Sequence, residues 1–108
     1  MPLERNYQAK VLKRIRALAP GIWTLKNDAN YLQGVPDWIV LYQKHWAMLE
    51  IKKKEPRPGT SDFENNQEWY IAEFDSMGFC ACLYPENERE VLSALQQAFG
   101  LVRPSRLS

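Results

Sequence analysis

Three side chains near the middle of the chain have the types and spacing for phosphate chemistry. Asp37 follows Gly34-Val35-Pro36, and Glu50 and Lys52 flank Ile51. In an extended segment side chains alternate between faces, so Glu50 and Lys52 point the same way. Their neighbours, Trp38-Ile39-Val40-Leu41 and Met48-Leu49, are apolar, and an unpaired charge among such residues is costly. Two carboxylates facing each other repel unless a cation lies between them. A hard, oxygen-seeking divalent ion such as Mg²⁺ meets that need. A lysine two residues beyond the second carboxylate reaches the same place, where it can orient the attacking water or help deprotonate it, and stabilise charge on a phosphate. The residue types are common ones, and the spacing also fits a surface salt bridge of Glu50 with Lys52, or of Asp37 with Lys26.

The elements that must position these residues can be read from periodicity. Residues 3 to 19 read as a helix with Leu3, Tyr7, Val11, Ile15 and Leu18 on one stripe, stopped by Pro20-Gly21. Residues 22 to 26 read as a short strand, followed by a polar loop from Asn27 to Gln33. Gly34 to Tyr42 and Trp46 to Lys52 read as two strands, joined through Gln43-Lys44-His45 in a hairpin. Pro56 and Pro58 remove ladder donors, so residues 53 to 60 leave the sheet. Ser61 with Glu64 has the form of a capping box opening a helix over 62 to 77, which Gly78 ends. Phe79 to Tyr84 reads as a strand and Glu86 to Phe99 as an amphipathic helix stopped by Gly100. The order α-β-β-β-α-β-α predicts an α/β fold, a mixed sheet flanked by helices, with residues 46 to 83 forming a parallel right-handed crossover. Residues 1–100 form one domain in this reading, and 101–108 a frayed tail.

Two polar residues fall where the helical pattern calls for apolar ones. Glu4 lands between Val11 and Ile15 inside the stripe of the first helix. Gln67 lies amid Phe63, Tyr70, Ile71, Phe74 and Met77 on the second. Both are aimed at the protein side of their helices. A first-turn acid favoured by the helix dipole would also explain Glu4, and a hydrogen-bonded core amide would also explain Gln67.

Taken together, Gly34-Val35-Pro36-Asp37, the apolar strand after it, Glu50-Ile51-Lys52 and the helix bearing Gln67 resemble the PD-(D/E)xK nuclease superfamily. The match is best with its virus-type replication-repair nuclease (VRR-NUC) branch, related in fold to Holliday-junction resolvases. The resemblance covers about residues 4 to 84 and implies a restriction-endonuclease-like fold. It also implies Mg²⁺, with Mn²⁺ as a substitute, held by Asp37, Glu50 and the Ile51 carbonyl, and supported by Glu4, directly or through water. Lys52 would serve the attacking water, and Gln67 would lie near the site. The expected activity is a structure-specific endonuclease cutting branched DNA such as four-way junctions, acting as a homodimer in the cytoplasm of a bacterial or phage-infected cell. Glu55 interrupts the basic linker usual after the lysine, which leaves the DNA path over Lys53, Lys54 and Arg57 open.

The charge distribution suits such a partner. Net charge is only +1. Residues 1 to 57, however, carry eleven Lys or Arg against five acids, and residues 58 to 108 three against eight. One face toward phosphate is the natural reading. Lys10, Lys13 and Lys26, with Lys53, Lys54 and Arg57 beside the site, are the candidate phosphate contacts; solvated charge is the alternative. Trp69 falls opposite the apolar stripe of its helix and reads as a dimer contact, with a base-stacking platform as the alternative. Cys80 and Cys82 lie two apart on one strand face, poorly placed to bridge, and read as core residues. His45 reads as a turn residue. No apolar run is long enough to cross a membrane, and the first residues lack a signal peptide's apolar core. A non-catalytic nucleic-acid-binding protein on the same fold, or a nuclease of broader DNA or RNA specificity, are the competing functions.

Overall fold

The computed structural model describes residues 3–28 and 32–101. In chain order it contains α1 (Glu4–Arg16), β1 (Trp23–Lys26), β2 (Trp38–Tyr42), β3 (His45–Ile51), α2 (Gln67–Met77), β4 (Cys80–Leu83) and α3 (Glu88–Ala98). A 3₁₀ turn, Pro85–Asn87, leads into α3. The strands form one sheet in the order β1-β2-β3-β4, with the first three antiparallel and β4 parallel to β3. The expected element order and mixed sheet are therefore present. Residues 102–108 of the expected tail, and 29–31 of the expected loop, lie outside the described residues; Leu101 packs against the core.

Strand alternation divides the sheet into two unlike faces. Val40 pairs with Ala47, Trp38 with Leu49, and Ile51 with Leu83, which sets one apolar surface. Val11, Leu12 and Ile15 of α1, with Val91, Leu95 and Phe99 from α3 and its end, close over it into a single core. Each fully buried Leu, Ile or Val there contributes about 1.5–3 kcal/mol.

The opposite face carries Trp23, Leu25, Ile39, Leu41, Trp46, Met48 and Glu50 in register. α2 lies over β4 on this side, drawn close where the Trp46 ring lies against Gly78, and Leu32 and Val35 of the segment before β2 line a cleft with Met48 and Phe74. On β1 and β2 this face is left open: Trp23 is 66% exposed, Leu25 42% and Leu41 37%.

Several boundaries differ from the periodic reading, each for a local reason. The first helix ends at Arg16 rather than 19, because the residue before Pro20 is disfavoured in helical geometry. β2 begins at Trp38 rather than 34, since Pro36 has no N–H to offer and Gly34 sits at φ 95°. The hairpin turn is two residues, Gln43-Lys44, with Gln43 at φ 55°. His45 is the first residue of β3 and stacks on Phe99 at 5.6 Å, so it is not a turn residue.

The capping box of Ser61 and Glu64 does not form. Side chains in that loop bond to nearby backbone instead: Thr60 Oγ1 accepts from Asp62 N–H, and Gln67 Oε1 accepts from Glu64 N–H. α2 therefore starts five residues later than expected, behind Asn66 at φ 68°. Its buried face is also narrower than the periodicity suggests. Gln67 alone is fully buried, Tyr70, Ile71 and Phe74 are half-buried, and Met77 is 60% exposed.

Gly34 ties this helix to the segment before β2. A Cβ there would lie 2.2 Å from the Asn65 carbonyl oxygen, with the Gln67 nitrogen also too close. At φ 95° a side chain is strained in addition. Gly34→Ala should therefore lower stability by about 2 kcal/mol or more in urea denaturation. Gly59→Ala is the control: φ is 75° but the surrounding space is open, so only the conformational cost of about 1 kcal/mol is expected.

Candidate active site

The β2–β3 register builds the centre of the site. Trp38 pairs with Leu49, so Asp37, one residue earlier, comes opposite Glu50. The Asp37 N–H donates to Glu50 Oε1 at 3.1 Å. The turn before Asp37 is held by Asn27, whose N–H donates to the Asp37 carbonyl and whose Nδ2 donates to the Pro36 carbonyl, both at 2.7 Å. Lys52, on the same face of the chain as Glu50, brings Nζ to 3.5 Å from Glu50 Oε2. The three residues singled out by their spacing thus meet at one end of the sheet.

Glu50 is 3% exposed. Burial, then the Asp37 carboxylate, push its pKa up to about 7, against the pull of Lys52 and of the Asp37 N–H. One ammonium does not fully compensate two carboxylates in so little water. The same environment acts on the thiols: Cys82, opposite Glu50 in the β3–β4 ladder, and Cys80 are both pushed up to about 12, chiefly by burial. Both are free, and both face the α2 side.

α1 reaches the site from the other side of the sheet. Glu4 Oε1 accepts the Lys53 N–H at 3.2 Å, fastening the chain as it leaves β3. With Lys52, Lys53, Lys54, Glu55 and Asp62, it lines a cleft of about 220 Å³. One turn on, the buried Gln8 donates from Nε2 to the Ile51 carbonyl at 3.0 Å. Gln8 was not among the residues read from the sequence. It follows Glu4 by four and precedes Leu12 by four, so the argument that singled out Glu4 also reaches it.

Gln67 opens α2 over the Glu50 face of the sheet. It is fully buried; Oε1 accepts from the Glu64 N–H, while Nε2 has no hydrogen-bond partner among the described residues. A buried amide N–H₂ without an acceptor costs about 1–3 kcal/mol, the pattern of a group kept for something other than stability.

The donors suit a hard cation. Among the described residues no three His, Cys, Asp or Glu side chains converge on one metal position. Mg²⁺ does not require three, since it keeps several waters and is commonly held by one or two carboxylates. Asp37 and Glu50 could supply these two. The Ile51 carbonyl uses one lone pair on Gln8 and retains the second. Glu4, committed to Lys53, is suited to a supporting role.

The basic residues divide into groups. Lys10, Lys13, Lys53 and Lys54 are exposed. Lys26 extends over the Trp38 ring, 5.2 Å from its centroid, instead of pairing with Asp37. Arg57 is bound to Asp62 at 2.9 Å, an exposed pair weak enough for a phosphate to displace. Arg14 is taken up by Glu88. Trp69 is 60% exposed, edge-on to Tyr70. No protein-family model, curated protein or solved structure matches this chain.

Glu50 gives the metal-free protein a distinctive pH response. Its folded pKa lies above its ordinary 4.5, so its contribution to stability is full below pH 4.5 and lost as pH rises through about 7. In EDTA, Glu50→Gln should remove this loss and exceed the wild type in stability at pH 8 by on the order of 2 kcal/mol. At pH 4 the two proteins should be nearly equal. Denaturant midpoints across that range provide the measurement.

Proposed function

We propose that this protein is a metal-dependent endonuclease hydrolysing phosphodiester bonds in DNA. The observation that carries the reading is the nearly buried Glu50 carboxylate opposite Asp37, only partly compensated by Lys52. A divalent ion removes that repulsion, and an acid pair with an adjacent ammonium is the equipment phosphate hydrolysis needs.

Asp37, Glu50 and the Ile51 carbonyl would hold Mg²⁺ or Mn²⁺, which when bound polarises the phosphate and favours ionisation of water. Lys52 orients the attacking water and offsets charge gathering on the phosphate oxygens. Water oxygen bonds to phosphorus, the bond from phosphorus to the 3′ oxygen breaks, and a proton goes to that oxygen. The products are a 5′-phosphate and a 3′-hydroxyl. Gln67 Nε2, a buried donor without an acceptor among the described residues, contributes a hydrogen bond to the substrate or to the acidic pair. Lys10, Lys13, Lys26, Lys53 and Lys54 bind the sugar-phosphate backbone, and Arg57 joins them once released from Asp62. Basic side chains gathered around the site favour recognition through shape and phosphate position. Branched DNA is the substrate this favours, with two copies acting together on it.

Four-way-junction, flap, duplex and single-stranded DNA are incubated with Mg²⁺, Mn²⁺ or EDTA. Cutting should require the metal and be strongest on branched substrates. Asp37→Ala and Lys52→Ala should each lose at least about 10²-fold in rate. Cutting in EDTA, or by Asp37→Ala at the wild-type rate, sinks the reading. Mg²⁺ should also raise the melting temperature of the wild type at pH 8 and leave that of Asp37→Ala unmoved.

Gln67→Met separates activity from stability. It deletes an unpaired buried amide along with one hydrogen bond to Glu64. Stability should change by less than about 1 kcal/mol, while cleavage falls about 10–100-fold. Large unfolding with undiminished specific activity would make Gln67 a packing residue only.

A further inference from the structure

The peptide joining Ile51 to Lys52 stands where β3 runs out. Its N–H donates to the Leu83 carbonyl of β4 at 2.8 Å. A trans peptide points its carbonyl the opposite way, so the Ile51 oxygen faces the β2 side of the strand. In an antiparallel ladder that oxygen would accept from the residue opposite. Trp38 pairs with Leu49, and two more steps in the same register set Pro36 opposite Ile51. Proline has no N–H, and β2 begins only at Trp38. The Ile51 oxygen is therefore left without a ladder donor.

Gln8 fills that gap. It is buried on α1, which packs on the core side of the sheet, across from the Glu50 side chain. From there Nε2 donates to the Ile51 oxygen at 3.0 Å. One helical turn earlier, Glu4 accepts the Lys53 N–H at 3.2 Å, so α1 holds the chain on both sides of Lys52. Any residue except proline at position 36 could have offered this oxygen a ladder N–H. The chain instead has a proline there, and a glutamine reaching in from the far side of the sheet.

We infer that Gln8 is a positioning residue for the candidate site, setting the direction of the Ile51 carbonyl so that its second lone pair serves a divalent cation held with Asp37 and Glu50. Pro36, by withholding a ladder N–H, keeps the oxygen available. The inference rests on the metal-binding reading above. A carbonyl oxygen is a hard donor of the kind Mg²⁺ takes, and groups that orient a metal's ligands tune how tightly the metal binds. Gln8 touches neither cation nor phosphate and acts through Ile51.

Ile51-Lys52 is the only Ile-Lys step in the sequence, so ¹³C at isoleucine carbonyls with ¹⁵N in lysine isolates this one carbonyl by NMR. Mg²⁺ titrated into the full chain should move that signal, with the midpoint that calorimetry gives. Gln8→Met keeps the bulk of the side chain and removes the donor. Without metal its Ile51 signal should shift upfield, as for a carbonyl losing a hydrogen bond, and its Mg²⁺ midpoint should rise about 10-fold or more. Gln8→Asn, one methylene too short to reach, should do the same and serves if Gln8→Met does not fold. Val11→Ala, which loosens α1 in the core away from the carbonyl, should keep the wild-type midpoint despite a lower melting temperature. Mg²⁺ binding that leaves the Ile51 carbonyl unmoved, or a Gln8→Met midpoint equal to the wild type, overturns the inference and leaves the metal site standing. So does an equal weakening in Val11→Ala, which would reduce Gln8 to a stability role. A wild type that binds no Mg²⁺ overturns both the inference and the reading it rests on.

Discussion

A carboxylate almost sealed from water, with a second carboxylate opposite, is the constraint around which the rest of this protein is arranged. Glu50 forgoes several kcal/mol of hydration by lying on a sheet face under a helix. What it receives in return is a backbone N–H from Asp37 and a lysine at 3.5 Å. Both depend on register. A one-residue slip of β2 against β3 would turn Glu50 and Lys52 to the other face of the sheet and bring apolar Leu49 and Ile51 in their place. The Val40–Ala47 and Trp38–Leu49 pairs that hold the register are also the centre of the hydrophobic core. Core and site are two sides of one hairpin.

Much of this was legible in the amino-acid sequence because the signals are short-range. Period-two alternation puts Glu50 and Lys52 on one face, although it also runs the strand before them back to Gly34, four residues ahead of its start at Trp38. Glu4 and Gln67 stood out as polar residues within apolar stripes. The misreadings have a common physical origin in side chains that choose partners beyond their own element. Ser61 and Glu64 fit a capping pattern, yet the loop's backbone donors went to Thr60 and Gln67. His45 looked like a turn residue until Phe99, from the far end of the chain, supplied a ring to stack on. Gln8 bonds to a carbonyl 43 positions away, and no local pattern announces such an acceptor. The half-open sheet face is likewise invisible to periodicity, since alternation says which side a residue takes and not whether anything covers that side.

Stability alone does not account for every buried group here. The unpaired Gln67 amide and the repelling acids each lower the stability of the metal-free chain, and in a small domain one or two kcal/mol is a large share of the total. Such costs persist when the group does something that an apolar replacement cannot. The exposed tryptophans, Trp23 on β1 and Trp69 on α2, are a second departure from what stability alone would select, because large aromatics gain most from burial.

The bond from Gln8 to the Ile51 carbonyl has a consequence for the order in which the protein assembles. The β2–β3 hairpin is local and can form early, but its far end is fixed only after the N-terminal helix has docked and β4 has joined the ladder beyond it. Contacts of such long sequence separation close late, because the loop entropy must be met first. The surroundings of Asp37 and Glu50 are therefore incomplete in a nascent or half-folded chain. The acids are synthesised in sequence, but their final surroundings exist only once α1 and β4 have found the middle of the chain.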